Sequence, residues 1–392
     1  MLRQYTLYLG TLALAFCSIT CAPTDESTGP SGQRDPRNDG AEEIQKPAPL
    51  IDVPSHLQGR IDETLKSVRK RSLSKNNSFW TLFHGILGMG LENAYLFDAI
   101  DTKTGKPIKA IEYICQGNKV RGLDFKDTPA GVDVISQIGT GVGQGHQDQF
   151  IAEMAQWGMP KDRKFLVNGA ERTFADFTRY AKARVRLTPD PNQEGPLELS
   201  WAILIVAQYY GTDIRWTNLD NKEIAFDDIV RFELKEPILD CPVCGGTHRL
   251  FGLTWAYHLH RQHGGKKEGV WLDVEKKLDE FKALARKYQN KDGSFSTNYF
   301  RAQEKRGDTT LRLATTGHIL EWLSLALSDA ELRQPWMQDA ANSLCVLILE
   351  NRYHGLDGGA LYHAAHGLAI YRTRVFGPAD AHPPLAPPPP KD

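Results

Sequence analysis

The feature that most constrains this chain is an apolar rhythm of three to four residues that returns in segment after segment between residues 55 and 376. Leu57, Ile61, Leu65 and Val68 carry it first. Val270, Val274, Leu278, Phe281, Ala285 and Tyr288 carry it most cleanly, with Lys and Glu on the opposite face. Side chains at that spacing form one stripe of an α-helix, so the spacing predicts amphipathic helices there. Further helices are expected near 78–89, 107–115, 146–157, 173–187, 197–210, 224–232, 248–263, 312–327, 336–350 and 360–373. Ser55 is an expected N-cap, Pro107 suits a first helical turn and Pro335 stands just ahead of one. The segments Leu197–Tyr210 and Leu344–Leu349 are apolar on more than one face, which is the pattern of a helix buried all round. An inner ring of buried helices covered by an outer ring of amphipathic ones needs this mixture. The expected fold class is all-α.

Lys plus Arg total 47 against 48 for Asp plus Glu, which argues against a general nucleic-acid binder. No apolar run is long enough for a polytopic membrane protein. Arg3 followed by the apolar stretch Leu7–Phe16 has the layout of a secretory signal over residues 1–21. Ser18-Ile19-Thr20-Cys21 resembles a bacterial lipobox, whose cysteine becomes the lipidated new N-terminus; Ser18 and Thr20 depart from the preferred residues. Ordinary cleavage near Ala22 is the rival reading. The expected location is the cell envelope, either anchored to the membrane through lipid on Cys21 or secreted. Residues 22–54 lack aromatics and read as a disordered tether. Residues 377–392 hold Pro383, Pro384 and the Pro387–Pro390 run, expected as a solvated polyproline II tail. The folded domain is thus expected over 55–376.

Gln289-Asn290-Lys291-Asp292-Gly293-Ser294-Phe295 follows the clearest amphipathic helix. Asp292-Gly293 suits a tight turn, because Gly accepts positive φ and Asp bonds its own backbone. The string resembles the QW-type turn, Q-x3-G-x-W, of the terpenoid cyclase and protein prenyltransferase α/α-toroid superfamily, with Phe295 in place of Trp. That resemblance implies an α/α toroid of about six helical hairpins. The family's chemistries are not implied. The D-x-D-D acid motif and the thioester G-C-G-E-Q are absent, and Asp227-Asp228 lacks the preceding Asp. Tyr362-His363 is similar to the Tyr-His of prenyltransferase β subunits, without the Asp before it or a D-x-C partner upstream.

Polar residues on apolar helices are the candidates for chemistry. His318 and Glu321 are three apart, as are His363 and His366, so each pair shares a helix face. Inner helices of a toroid would turn them toward a central cavity as acid–base groups; the alternative is a core histidine bonded to a neighbouring carbonyl. The glycine-rich run Gly139–Gly145 is neither a Walker A loop nor a true G-x-G-x-x-G. It is expected to deliver His146 and Asp148 to a helix start, or to be a flexible connector with Asp148 as cap. Cys241-Pro242-Val243-Cys244 precedes His248, with His258, His260 and His263 further on. Cys241, Cys244 and His248 fit half a zinc site, while a Cys241–Cys244 disulfide or redox pair fits an exported protein equally. Cys115 and Cys345 are expected as small buried residues or a second pair.

Two functions follow from this. One is an enzyme acting on a glycan or similar polymer, with Trp201, Trp255, Trp271 and Trp322 as stacking surfaces. The other is a non-catalytic envelope scaffold or protein-interaction module. A structure that shows whether the His and Glu side chains converge separates them.

Overall fold

In a computed structural model the described residues are 50–92, 97–101, 104–138, 141–188, 197–240, 244–379, 383–387 and 389. The signal segment, Cys21, almost all of the tether and Cys241 lie outside them. Among the described residues, thirteen α-helices alternate with three short antiparallel hairpins. The chain is therefore mostly α rather than all-α. The order is α1 (Ser55–Arg69), α2 (Phe79–Met89), α3 (Ala110–Cys115), β1 (Leu123–Thr128), β2 (Gly131–Ser136), α4 (Gln149–Ala155), β3 (Lys164–Val167), β4 (Ala170–Thr173), α5 (Phe174–Ala183) and α6 (Ser200–Tyr210). Then follow β5 (Arg215–Thr217), β6 (Glu223–Ala225), α7 (Phe226–Lys235), α8 (Thr247–Gln262), α9 (Val270–Lys287), α10 (Thr309–Ala326), α11 (Asp329–Leu332), α12 (Pro335–Glu350) and α13 (Gly358–Phe376). No helix among the described residues is long and apolar enough to cross a membrane.

The helices fall into two kinds. In α1 and α9 the predicted stripes are the buried ones: Leu57, Ile61, Leu65 and Val68 in the first, Val270, Val274, Leu278, Phe281 and Ala285 in the second. By contrast α4, α8, α10 and α13 are buried along most of their length and on all faces. The packing neighbours sort the same way. Helices α2, α4, α6, α8, α10 and α13 each pack against the next in chain order, and α13 packs back against α2. Outside this cycle α1 lies on α12 and α13, α5 on α6, α7 on α6 and α9, and α9 on α8. Small residues let the α10–α13 pair close up. A Cβ on Gly317 would sit 2.9 Å from the Ala364 Cβ, and one on Gly367 would sit 2.8 Å from the Glu321 backbone.

The turn at Gln289 works as its residues suggest. Gly293 has φ 82° and the Asp292 carboxylate accepts from the Ser294 amide and hydroxyl. The Gln289 amide donates to the carbonyls of Gly293 and Trp336. Phe295 is buried edge-on against Trp336. Other expectations shift. Ser55 is the first helical residue, with Pro54 before it. Helix α3 begins only at Ala110, because Pro107 is held in a bridge with Ile100. Pro335 sits inside the first turn of α12, where its missing N–H is no loss. The C-terminal tail is not wholly solvated. The Leu385 amide donates to the Gln156 carbonyl, and the Pro387 carbonyl accepts from His258 Nδ1.

Candidate functional site

Six histidines and three carboxylates, Glu153, Glu198 and Glu321, meet where the mutually packed helices converge. His318 on α10 donates from Nδ1 to the Ala314 carbonyl one turn back, at 2.7 Å. His84 on α2 does the same to the Trp80 carbonyl at 2.8 Å. A carbonyl only accepts, so in both rings the proton sits on Nδ1 and the lone pair is left on Nε2. Glu321, one turn after His318, reaches α13. Its two oxygens lie 2.8 Å from His363 Nδ1 and 2.6 Å from His366 Nδ1. Burial alone would raise the Glu321 carboxyl, but His363 and His366 outweigh it and hold the group well below its ordinary value. An ionised Glu321 accepts only, so these two rings also donate from Nδ1.

His248 stands in the first turn of α8, and neither of its ring nitrogens has a hydrogen-bond partner among the described residues. Its ring centroid is 5.2 Å from that of His318, 5.4 Å from His363 and 4.7 Å from His146. The His318 and His363 rings are 4.3 Å apart, and His84 is 5.2 Å from His363. Burial, reinforced by neighbouring imidazoles, pushes His84 and His248 well below their ordinary value and His318 down to about 3. These rings are neutral at any physiological pH. Glu153 on α4 is pushed the other way by burial, well above a normal carboxylic acid, and one of its oxygens has no partner among the described residues. The accessibility is graded. His318 and His248 keep 8% and 6% exposure while His84 and His366 keep none, so the cluster is reached from the side of His248 and His318.

The loop before α4 borders that side. The Gln149 side-chain oxygen accepts from the Gly145 and His146 amides, and the Gln144 oxygen accepts from the Phe150 amide. Its described part is pinned rather than a flexible connector. It brings His146 to His248, with His146 Nδ1 at 2.5 Å from Glu198. It does not bring Asp148. That residue ends the loop at φ 65°, and its carboxylate is held 2.8 Å from Arg184, which also reaches Asp133. Asp148 is a structural ion-pair partner, apart from the histidines.

Three sets of side chains bring potential ligand atoms within 4.8 Å of one another: His248, His318 and His363; His84, Glu153 and His363; and His146, Cys244 and His248. Cys244 and His248 are thus together, whereas Cys241 lies outside the described residues. His258, His260 and His263 are not part of the cluster. They lie ten or more residues further along α8, about 15 Å at a helical rise, and His258 and His260 bond Pro387 and Lys266. Cys115 and Cys345 are buried, free thiols. Of the expected stacking tryptophans only Trp201 borders the site, 4.7 Å from His248. Trp255 and Trp322 are fully buried, bonded to Gln208 and Thr254, and Trp271 lies flat on His260.

Sequence reasoning missed His84, Glu153 and Glu198. The signal for the first two was present, since each is the one ionisable side chain of an otherwise uncharged helix. Comparison with protein-family models, with curated proteins and with solved structures yields no match. The chemistry of the site must carry the functional reading.

Proposed function

We propose that this chain is an α/α toroid exported to the cell envelope, whose central histidine–carboxylate cluster binds or turns over a small polar ligand. The cycle of packed helices α2, α4, α6, α8, α10 and α13, with an outer helix against each of them except α4, supports the toroid. Export rests on the Arg3 to Cys21 pattern, and mass spectrometry of the mature N-terminus decides between lipid on Cys21 and cleavage near Ala22.

One observation carries the functional reading. Both nitrogens of His248, Nε2 of His366 and one oxygen of Glu153 are buried without a hydrogen-bond partner among the described residues. Each such group costs about 1–3 kcal/mol. A protein that needed only a packed interior would be more stable with leucine there, so the groups support a role that opposes stability. The near-complete burial favours a small ligand or a single projecting group. A sugar chain laid along the tryptophans has little support, because all four are buried.

The acid–base roles follow from the protonation states. Neutral His248 and His318 offer lone pairs rather than take up protons, and His363 and His366, braced by Glu321, are held in one orientation. The test is stability. In chelator-treated protein, His248→Leu should raise Tm by a few degrees, as relief of about 1–3 kcal/mol implies. A lowered Tm would make His248 a packing residue and leave the scaffold reading in front.

A further inference from the structure

We infer that His248, His318 and His363 form a binding site for a divalent transition-metal ion of the zinc type. This rests on reading the cluster as a functional site and names the cofactor that site takes. Three inner helices supply one ligand each: α8, α10 and α13. Their ligand atoms already lie within 4.8 Å of one another. A tetrahedral zinc with bonds near 2.0–2.1 Å places its nitrogen ligands about 3.3 Å apart. A modest inward turn of the rings closes the set.

The surroundings have the form that metal-bound imidazoles require. A ligating histidine almost always donates its other N–H to a carbonyl or carboxylate, which fixes the tautomer and aims the lone pair. His318 donates to the Ala314 carbonyl and His363 donates to Glu321, so Nε2 of each is the free ligand atom. Glu321 is itself steadied by His366. His248 supplies the independent observation. It is more than nine-tenths buried, both its ring nitrogens lack partners among the described residues, and its ring faces the other two. A bound ion satisfies it.

Of the other two sets, the one with Glu153 fits less well: burial drives Glu153 toward its protonated form and it already accepts from Gln149, so it is a poor anionic ligand. The set of His146, Cys244 and His248 shares His248 and would bring sulfur to the ion, which a cobalt spectrum distinguishes from an all-imidazole site. Three imidazoles suit zinc, copper or nickel more than magnesium or calcium. Three protein ligands leave a fourth position for water, the arrangement of catalytic rather than structural zinc. Water bound there would be acidified toward neutrality; the His146 ring, paired with Glu198, lies 4.7 Å from that of His248.

The experiment uses the full-length protein, stripped with chelator and titrated with Zn2+ and with Co2+ as a visible reporter. The expected result is one equivalent bound per chain, a tetrahedral cobalt spectrum without thiolate-to-metal charge transfer, and at least tenfold weaker binding in His318→Ala and in His363→Gln. Circular dichroism of each variant in chelator confirms that it folds. Should neither variant fold, the unmodified protein still decides, through the ligand type seen in its cobalt spectrum. Thiolate charge transfer would move the ion to Cys244 and overturn the assignment, as would unchanged affinity in both folded variants. No binding, with His248→Leu still raising Tm, would sink the metal site while leaving the functional cluster. No binding together with a lowered Tm would sink both.

Discussion

Glu321 is the residue on which the cluster turns. Its carboxylate receives two imidazole N–H groups from α13 while His318, one turn earlier, faces the same space. Only an acceptor with two equivalent oxygens serves both rings. In Glu321→Gln one oxygen becomes an NH2 donor, so either His363 or His366 must give up its Nδ1–H tautomer or lose its partner. The expected cost is about 1–3 kcal/mol in urea unfolding. Nitrogen-15 spectra should show one of the two rings exchanging its protonated nitrogen. Unchanged tautomers in both rings would mean that Glu321 does not orient them.

At the scale of elements, the convergence depends on how closely α10 and α13 approach. Gly317 faces Ala364 and Gly367 faces the Glu321 backbone, so two helices meet without a side chain between them. Alanine is the better helix former by about 1 kcal/mol, yet Gly367→Ala would place a Cβ 2.8 Å from the Glu321 Cα. Backbone cannot yield as a flexible side chain does, and overpacking of this kind costs about 1–3 kcal/mol. The expected net effect is destabilisation. Gly59→Ala is the control, because nothing lies within 4 Å of a Cβ there and α1 should gain about 0.5–1 kcal/mol. Urea midpoints that move in opposite directions bear this out; two that rise together refute the close approach. The same scale holds the largest misreading. The hairpins went unseen although β3 and β4 are joined by Asn168-Gly169, both at positive φ, which is a strong local hairpin signal. Helical periodicity on either side masked strands only three to six residues long.

For the whole molecule, the buried titratable groups set the response to acid. Burial lowers His84, His248, His258 and His318, the last two to about 3, so each takes up a proton when the chain unfolds below about pH 6.5. Stability from these groups is present above that pH and is lost as pH falls. Burial raises Glu153, and raises Glu233 to about 7 despite Arg249, so these two release protons on unfolding above the ordinary carboxylate range. Their contribution has the opposite sign and is lost as pH rises. Four histidines against two acids leave a net uptake of about two protons near pH 5, falling toward zero at pH 6.5 as the unfolded histidines lose theirs. Glu321, held low in the fold, is ionised in both states there and adds the same sign as the histidines only below about pH 4.3. The metal-free protein should therefore gain stability as pH rises across that window, by about 1–2 kcal/mol per pH unit on average and most steeply near pH 5, read from urea midpoints at pH 5.0 and 6.5. A flat or falling profile would show that the histidines carry charge in the fold.

The sequence by itself determined the helical segments, because a 3.6-residue period is a local property of the chain. It determined their inner or outer place only in part: Leu197–Tyr210 became the inner helix α6, whereas Leu344–Leu349, also apolar on more than one face, lies in α12 outside the cycle with Val346 exposed. It also determined the turn at Gln289, where Asp292 and Gly293 are chemically required. It singled out His318, Glu321, His363 and His366 as polar groups out of place. Tertiary structure alone decided that His363 and His366 share the Glu321 carboxylate, since α13 reaches Glu321 where Gly367 lies against the α10 backbone. Tertiary structure also separated His146 from Asp148, two residues apart in the chain. The loop reverses at the positive φ of Asp148, so one side chain goes to His248 and the other to Arg184. It added His84 and Glu153 from helices whose composition looked merely apolar, and it removed Trp255, Trp271 and Trp322 to the core. Spacing along a helix says which residues share a face, but which faces meet depends on the packing of helices far apart in sequence.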